Sequence, residues 1–96
     1  MAKTDDYPTF EQGLQNQLST DPDLRRTMFG KRMARVMNAP RGRKERVLGR
    51  MEEHARVHAG LKATGAVDWG AKAINWTDLM AFLAKILPLI MALFGL

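Results

Sequence analysis

The distribution of apolar and polar residues along the chain changes abruptly near residue 75. Before that point, apolar side chains recur every third or fourth residue between charged ones, which predicts short amphipathic helices. After it, the 18 residues from Leu79 to Leu96 include 15 apolar side chains. No segment alternates apolar and polar positions over the length of a strand. The pattern predicts an all-α protein with three short amphipathic helices followed by a C-terminal apolar helix.

Local signals indicate where the first two helices begin. Residues 9–12 have the Thr-x-x-Gln spacing of a capping box, so a short helix is expected over about 10–18. Asp21 followed by Pro22 is the clearest helix start in the chain, because aspartate caps and proline fits the first turn. We expect this second helix to continue without a break to about Asn38.

Similar signals bound the rest of the chain. A third helix is expected over about 43–63, with Gly65 as its C-cap. Asp68 can cap a further turn or two of helix before the tail. Asn75 is the expected N-cap of the tail helix, 76–96.

The tail helix has the length of a membrane span. Its 21 residues would extend roughly 31 Å, close to the hydrocarbon thickness of a bilayer. Lys85 would lie near the middle of the span, and Pro88 removes a backbone hydrogen bond, so both need a tolerant environment. Trp76 lies at the start, where an indole ring suits a membrane boundary. We therefore expect a helix embedded in a membrane.

One narrow stripe of the tail differs from the rest of its surface. Steps of three and four residues collect positions that are small, charged or helix-disturbing, namely Asp78, Ala81, Lys85, Pro88, Ala92 and Gly95. Small residues let the backbones of two helices approach closely in a membrane. Within the stripe, the expected contacts with a neighbouring helix are Ala81, Lys85, Ala92 and Gly95, while Leu83 and Ile90 are expected to face lipid.

Other interpretations of the tail remain open. It could lie in the plane of the membrane interface, although few basic residues accompany it. In a soluble protein it could drive homo-oligomerisation or dock into a larger complex. In a pore-forming or holin-like peptide, Asp78 and Lys85 would line a channel.

Charge divides the chain into blocks. Residues 1–23 carry a net charge of −4, and residues 24–50 carry ten basic residues against one acidic residue. We divide the chain into an acidic arm with a short helix over 1–23, a basic helical region over 24–66, and an amphipathic lead-in with the apolar helix over 67–96. The ten basic residues are Arg25, Arg26, Lys31, Arg32, Arg35, Arg41, Arg43, Lys44, Arg46 and Arg50.

This excess of positive charge predicts binding to a polyanion, either nucleic acid without sequence preference or anionic lipid headgroups. The alternatives are a solvated surface or pairing with an acidic protein surface. Phe29 is the one aromatic residue in the block, which disfavours recognition by base stacking.

The residues needed for catalysis are scarce. The chain has no cysteine, and Ser19 is its one serine. His54 and His58 are four residues apart on a predicted helix, but no third ligand accompanies them at the spacing of a metal site. We expect a non-enzymatic protein that uses neither a cofactor nor a metal ion.

Together these patterns predict a small structural or assembly protein anchored to a membrane by its C-terminal helix. Its expected partners are membrane lipid, further copies of itself or a larger protein assembly, and non-specific nucleic acid. The excess of Lys and Arg before the tail predicts that the N-terminal region faces the cytoplasm or the interior of a particle. A minor component of a membrane-containing virus or phage particle would have this architecture.

Overall fold

The computed structural model describes residues 7–96 and contains, within that range, five α-helices and no strand. The all-α class predicted from the sequence is confirmed. Asp5 and Asp6, which belong to the predicted acidic arm, lie outside the described residues. The helices are α1 Phe10–Thr20, α2 Pro22–Arg26, α3 Met28–Met37, α4 Arg41–His58 and α5 Trp76–Leu93.

The first helix, α1, begins where the capping box predicts. The N–H of Gln12 donates to Thr9 Oγ1 at 3.2 Å, and the N–H of Thr9 donates to Gln12 Oε1 at 2.8 Å. This reciprocal pair satisfies two backbone donors at the helix start. The helix continues to Thr20, slightly past its predicted end. At Gly13, an added Cβ would lie 2.6 Å from the Trp76 ring, so glycine allows the indole to pack on α1.

The second predicted helix is broken at Thr27, so the expectation of one continuous helix to Asn38 is wrong. Thr27 has an extended backbone, with φ −72° and ψ 165°. Its Oγ1 accepts a hydrogen bond from the N–H of Gly30 at 3.1 Å and so caps α3. An added Cβ at Gly30 would lie 2.4 Å from the carbonyl oxygen of Leu24, so glycine also permits the close approach of α2 and α3.

The helix α4 corresponds to the third predicted helix, and it ends earlier than predicted, at His58 instead of about residue 63. Gly60 has φ +72°, and its N–H donates to the Val57 carbonyl at 3.1 Å. The N–H of Leu61 donates to the Arg56 carbonyl at 2.8 Å, which completes a Schellman motif. Gly60 therefore ends α4, and the prediction that Gly65 does so is wrong.

The segment between α4 and α5 is made of turns. Asp68 Oδ1 accepts a hydrogen bond from the N–H of Gly70 at 2.9 Å, so Asp68 stabilises a turn and not the short helix that we expected. The start of α5 is as predicted, because Asn75 Oδ1 accepts from the N–H of Asp78 at 3.1 Å. The helix ends at Leu93, before the predicted end at residue 96.

The inner face of α5 forms the centre of the core. Leu79, Leu83, Leu87 and Ile90 are each at most 3% exposed, and their spacing places them on one side of the helix. Burying a side chain of this size stabilises a fold by about 1.5–3 kcal/mol. Because Leu83 and Ile90 lie inside the protein, the expectation that they face lipid does not hold in this fold. Their neighbours in the core, from α3 and α4, are Met33, Val36, Val47, Met51 and Ala55.

Candidate functional site

The stripe of small and charged residues lies on the outer side of α5. Lys85 and Ala92 are exposed, opposite the inner face that fills the core, and Pro88 is half-buried. Gly95 is exposed but lies beyond the end of α5 at Leu93. Ala81 is also exposed and lines an apolar cleft of about 340 Å³ with residues of α2 and α3, including Leu24. A helix that contacts the exposed part of the stripe must therefore come from another molecule.

A second feature of the outer side, missed in the sequence, is an apolar seam formed by Phe82, Ile86, Leu89 and Leu93. Leu89 and Leu93 are each 69% exposed, and Phe82 and Ile86 are half-buried. Steps of four, three and four residues place all four on one side of the helix. This spacing was the sequence signal for the seam. Because α5 is apolar on almost every side, the spacing did not distinguish the seam from the rest of the helix. The seam is a surface suited to an apolar partner.

A polar contact joins the end of α4 to the start of α5. His58 Nε2 lies 2.7 Å from Asp78 Oδ2, and the His58 ring stacks on Phe82 with centroids 4.1 Å apart. Asp78 is thus the member of the stripe that bonds to another helix. Within residues 7–96, no group of three or more His, Cys, Asp or Glu side chains could hold a metal ion. His54 is exposed.

Three aromatic rings connect α1, α4 and α5. The ring centroids of Phe10 and Trp69 are 4.9 Å apart at an interplanar angle of 66°, an edge-to-face arrangement. Trp69 is 1% exposed, and its Nε1 donates to Glu52 Oε2 at 3.1 Å. Trp76 is half-buried beside it, with its Nε1 donating to the Trp69 carbonyl at 3.1 Å. Both indole N–H groups are therefore satisfied by the protein itself.

The structure separates the ten basic residues into paired and unpaired groups. Lys44 Nζ lies 3.3 Å from Glu11 Oε2, Arg41 pairs with Glu45 at 2.8 Å, and Arg26 lies 3.6 Å from Asp23. Arg25 donates to the carbonyl of Ser19 at 3.2 Å. Arg25 forms no salt bridge to a described residue. The same is true of six further basic residues, which we call unpaired: Lys31, Arg32, Arg35, Arg43, Arg46 and Arg50.

The six unpaired residues lie on two helices. Three are on α3, where Lys31 and Arg35 are exposed and Arg32 is half-buried beside the inner face. The other three are on α4 and are exposed. The unpaired charges of the basic block are therefore divided between two helices and do not lie along one continuous helix.

Comparison with known proteins assigns no role to these surfaces. No family model matches the chain, and no curated protein or solved structure matches it either.

Proposed function

We propose that the chain is a small non-enzymatic structural or assembly protein that associates with a membrane through α5. Its basic helices bind a polyanion or an acidic protein surface. The observation that carries the membrane part is the composition and exposure of α5. This 18-residue helix is long and apolar enough to cross a membrane, yet 33% of it is buried in the protein.

Contact with the membrane through the apolar seam would leave the fold intact. A helix that crossed the membrane alone would remove Leu79, Leu83 and Leu87 from the core. A closed protein lying on the membrane would instead insert Leu89 and Leu93 at the boundary between headgroups and acyl chains. Lys85 lies beside the seam, and its long side chain can extend to the headgroups while its methylene groups contact apolar surface.

Flotation with phosphatidylcholine vesicles tests this proposal. The wild-type protein should float with the vesicles, because these lipids carry no net charge that would attract the basic helices. Leu89→Gln/Leu93→Gln should remain at the bottom of the gradient with unchanged helix content by circular dichroism.

Ala81→Gln/Ala92→Gln is the matched control, since both alanines are exposed on the same helix. It should float like the wild type. A wild-type protein that stays soluble and apart from the vesicles would contradict membrane association.

A second candidate is a soluble helical protein that forms homo-oligomers or docks into a larger complex. The burial of the inner face of α5 supports it, because the helix already has partners within the chain. The seam also has the spacing of coiled-coil contact positions, which would suit pairing between copies. Sedimentation equilibrium without lipid distinguishes the candidates. A dimer that dissociates in Leu89→Gln/Leu93→Gln, together with no flotation, would favour the second.

A further inference from the structure

Four glycines lie inside helices, and the fold explains two of them. An added Cβ at Gly13 would lie 2.6 Å from the Trp76 ring, and one at Gly30 would lie 2.4 Å from a backbone carbonyl oxygen of α2. At Gly42 and Gly49, nothing lies within 4 Å of an added Cβ. Gly49 lies in the middle of the 18-residue α4, where glycine weakens a helix relative to alanine. Contacts within the described chain give no reason for this cost.

These two glycines share one side of α4 with three arginines. We call this surface the α4 strip, and its members, all exposed, are Gly42, Arg43, Arg46, Gly49 and Arg50. None of the three arginines forms a salt bridge within residues 7–96. From the first arginine to the last, the strip extends roughly 10 Å along the helix axis. It combines unpaired positive charge with places where a partner can approach the helix backbone.

We propose that the α4 strip binds the sugar-phosphate backbone of a nucleic acid. The inference rests on the polyanion-binding part of the proposed function and specifies its partner and its site. Arg43, Arg46 and Arg50 would each donate to phosphate oxygens, which guanidinium groups bind with two parallel hydrogen bonds. Gly42 and Gly49 would let the phosphate chain lie closer to α4 than any side chain allows.

The combination of charge and glycine favours nucleic acid over two other anionic partners. Lipid headgroups move independently and can follow the contour of a helix, so they do not need missing side chains. A partner helix that packed on the glycines would need apolar contacts beside them, but no exposed residue between Arg41 and Arg50 has an apolar side chain. A nucleic-acid backbone is stiff and carries about one charge per 1.7 Å in a duplex. The strip also has no aromatic residue, so the contact would not read bases by stacking.

Binding of the full chain to a mixed-sequence DNA duplex, measured by fluorescence anisotropy, tests the proposal. Gly42→Ala/Gly49→Ala should raise the melting temperature, because alanine favours the helix. The same variant should bind DNA about tenfold more weakly, which corresponds to losing one charge-assisted hydrogen bond to phosphate. A merely structural role for the glycines would not weaken binding while stabilising the fold.

The arginines are tested by their salt dependence against a charge-matched control. Arg43→Gln/Arg46→Gln/Arg50→Gln should reduce the slope of log affinity against log salt by about 2.7, from 0.9 per phosphate contact. Lys31→Gln/Arg32→Gln/Arg35→Gln, which removes three charges from α3, should reduce the slope by less than about 1. Equal reductions by the two triple variants would place the contact on both helices and overturn the assignment to the strip.

The remaining outcomes separate this inference from the proposed function. A wild-type protein that binds neither DNA nor anionic vesicles would refute polyanion binding itself. DNA binding that is unchanged by Gly42→Ala/Gly49→Ala would leave polyanion binding intact and refute the role of the strip. If the glycine variant instead lost binding to phosphatidylserine vesicles as strongly as to DNA, the strip would not favour nucleic acid over lipid headgroups, and the assignment of the partner would be overturned. Loss restricted to DNA is the expected result.

Discussion

The helices α4 and α5 have the same length, but the outer surface of α4 is basic and that of α5 is mostly apolar. Each contains 18 residues and buries one side in the shared core. The outer side of α4 carries three unpaired arginines and two glycines, whereas the outer side of α5 carries the apolar seam and one lysine. The inner sides resemble each other because both must fill the same core. The outer sides are not required by the fold, and their difference is the basis for proposing a different partner for each helix.

The largest expected effect separates the two sides of α5. Leu83→Ala should lower the free energy of unfolding by about 2–5 kcal/mol, because it leaves a cavity in the core. Leu89→Ala is the matched change on the outer side, and it should alter stability by no more than about 0.5 kcal/mol. Urea unfolding followed by circular dichroism measures both variants. Similar losses in the two would mean that α5 does not pack with Leu83 inward.

The next effect separates the outer surfaces of α4 and α5 by their response to salt. If the three arginines of the α4 strip contact phosphates, raising salt from about 50 to 200 mM should weaken DNA binding roughly 40-fold. Flotation with phosphatidylcholine vesicles through the apolar seam should be unchanged or slightly stronger, because apolar burial is not screened by salt. Parallel titrations of the same protein preparation make the comparison. Vesicle binding that fell with salt as steeply as DNA binding would show that charge drives both contacts.

The smallest effect concerns the polar contact that joins the two helices. Asp78→Ala removes the partner of His58, and we expect a loss of at most about 1 kcal/mol because the pair lies near the surface. Asp78 is 65% exposed and His58 is 30% exposed. Thermal unfolding of the two proteins in the same buffer gives the difference. A loss above about 2 kcal/mol would assign this contact a larger part in holding α5 on α4 than a surface pair has.

The sequence predicted the helix class and several helix starts because those depend on neighbouring residues. The capping box at Thr9 and the cap at Asn75 are local signals, and both are present. The break at Thr27 was missed because apolar residues continue at helical spacing across it, and a threonine cap leaves that spacing intact. Gly60 and Gly65 both have positive φ, at 72° and 94°, so composition alone could not decide which ends α4.

The orientation of α5 could not be predicted for a different reason. Nearly every side of this helix is apolar, so the pattern identifies no side as the one that packs on α3 and α4. Of the three salt bridges in the basic block, the one between Lys44 and Glu11 joins residues far apart in sequence and becomes visible only in the folded protein. The pairs Arg26–Asp23 and Arg41–Glu45 lie three and four residues apart, so helical spacing could have indicated them.

The aromatic cluster gives this protein a built-in optical probe. The chain has two tryptophans, and Trp69 and Trp76 lie with their ring centroids 5.9 Å apart, next to Phe10. Trp76 is the first residue of α5, while Trp69 is hydrogen-bonded to Glu52 of α4. Intrinsic fluorescence is therefore sensitive to the separation of these two helices without any label. For protein that floats with the vesicles, an unchanged emission wavelength reports a closed protein resting on the lipid, and a shifted one reports that α5 has left its neighbours.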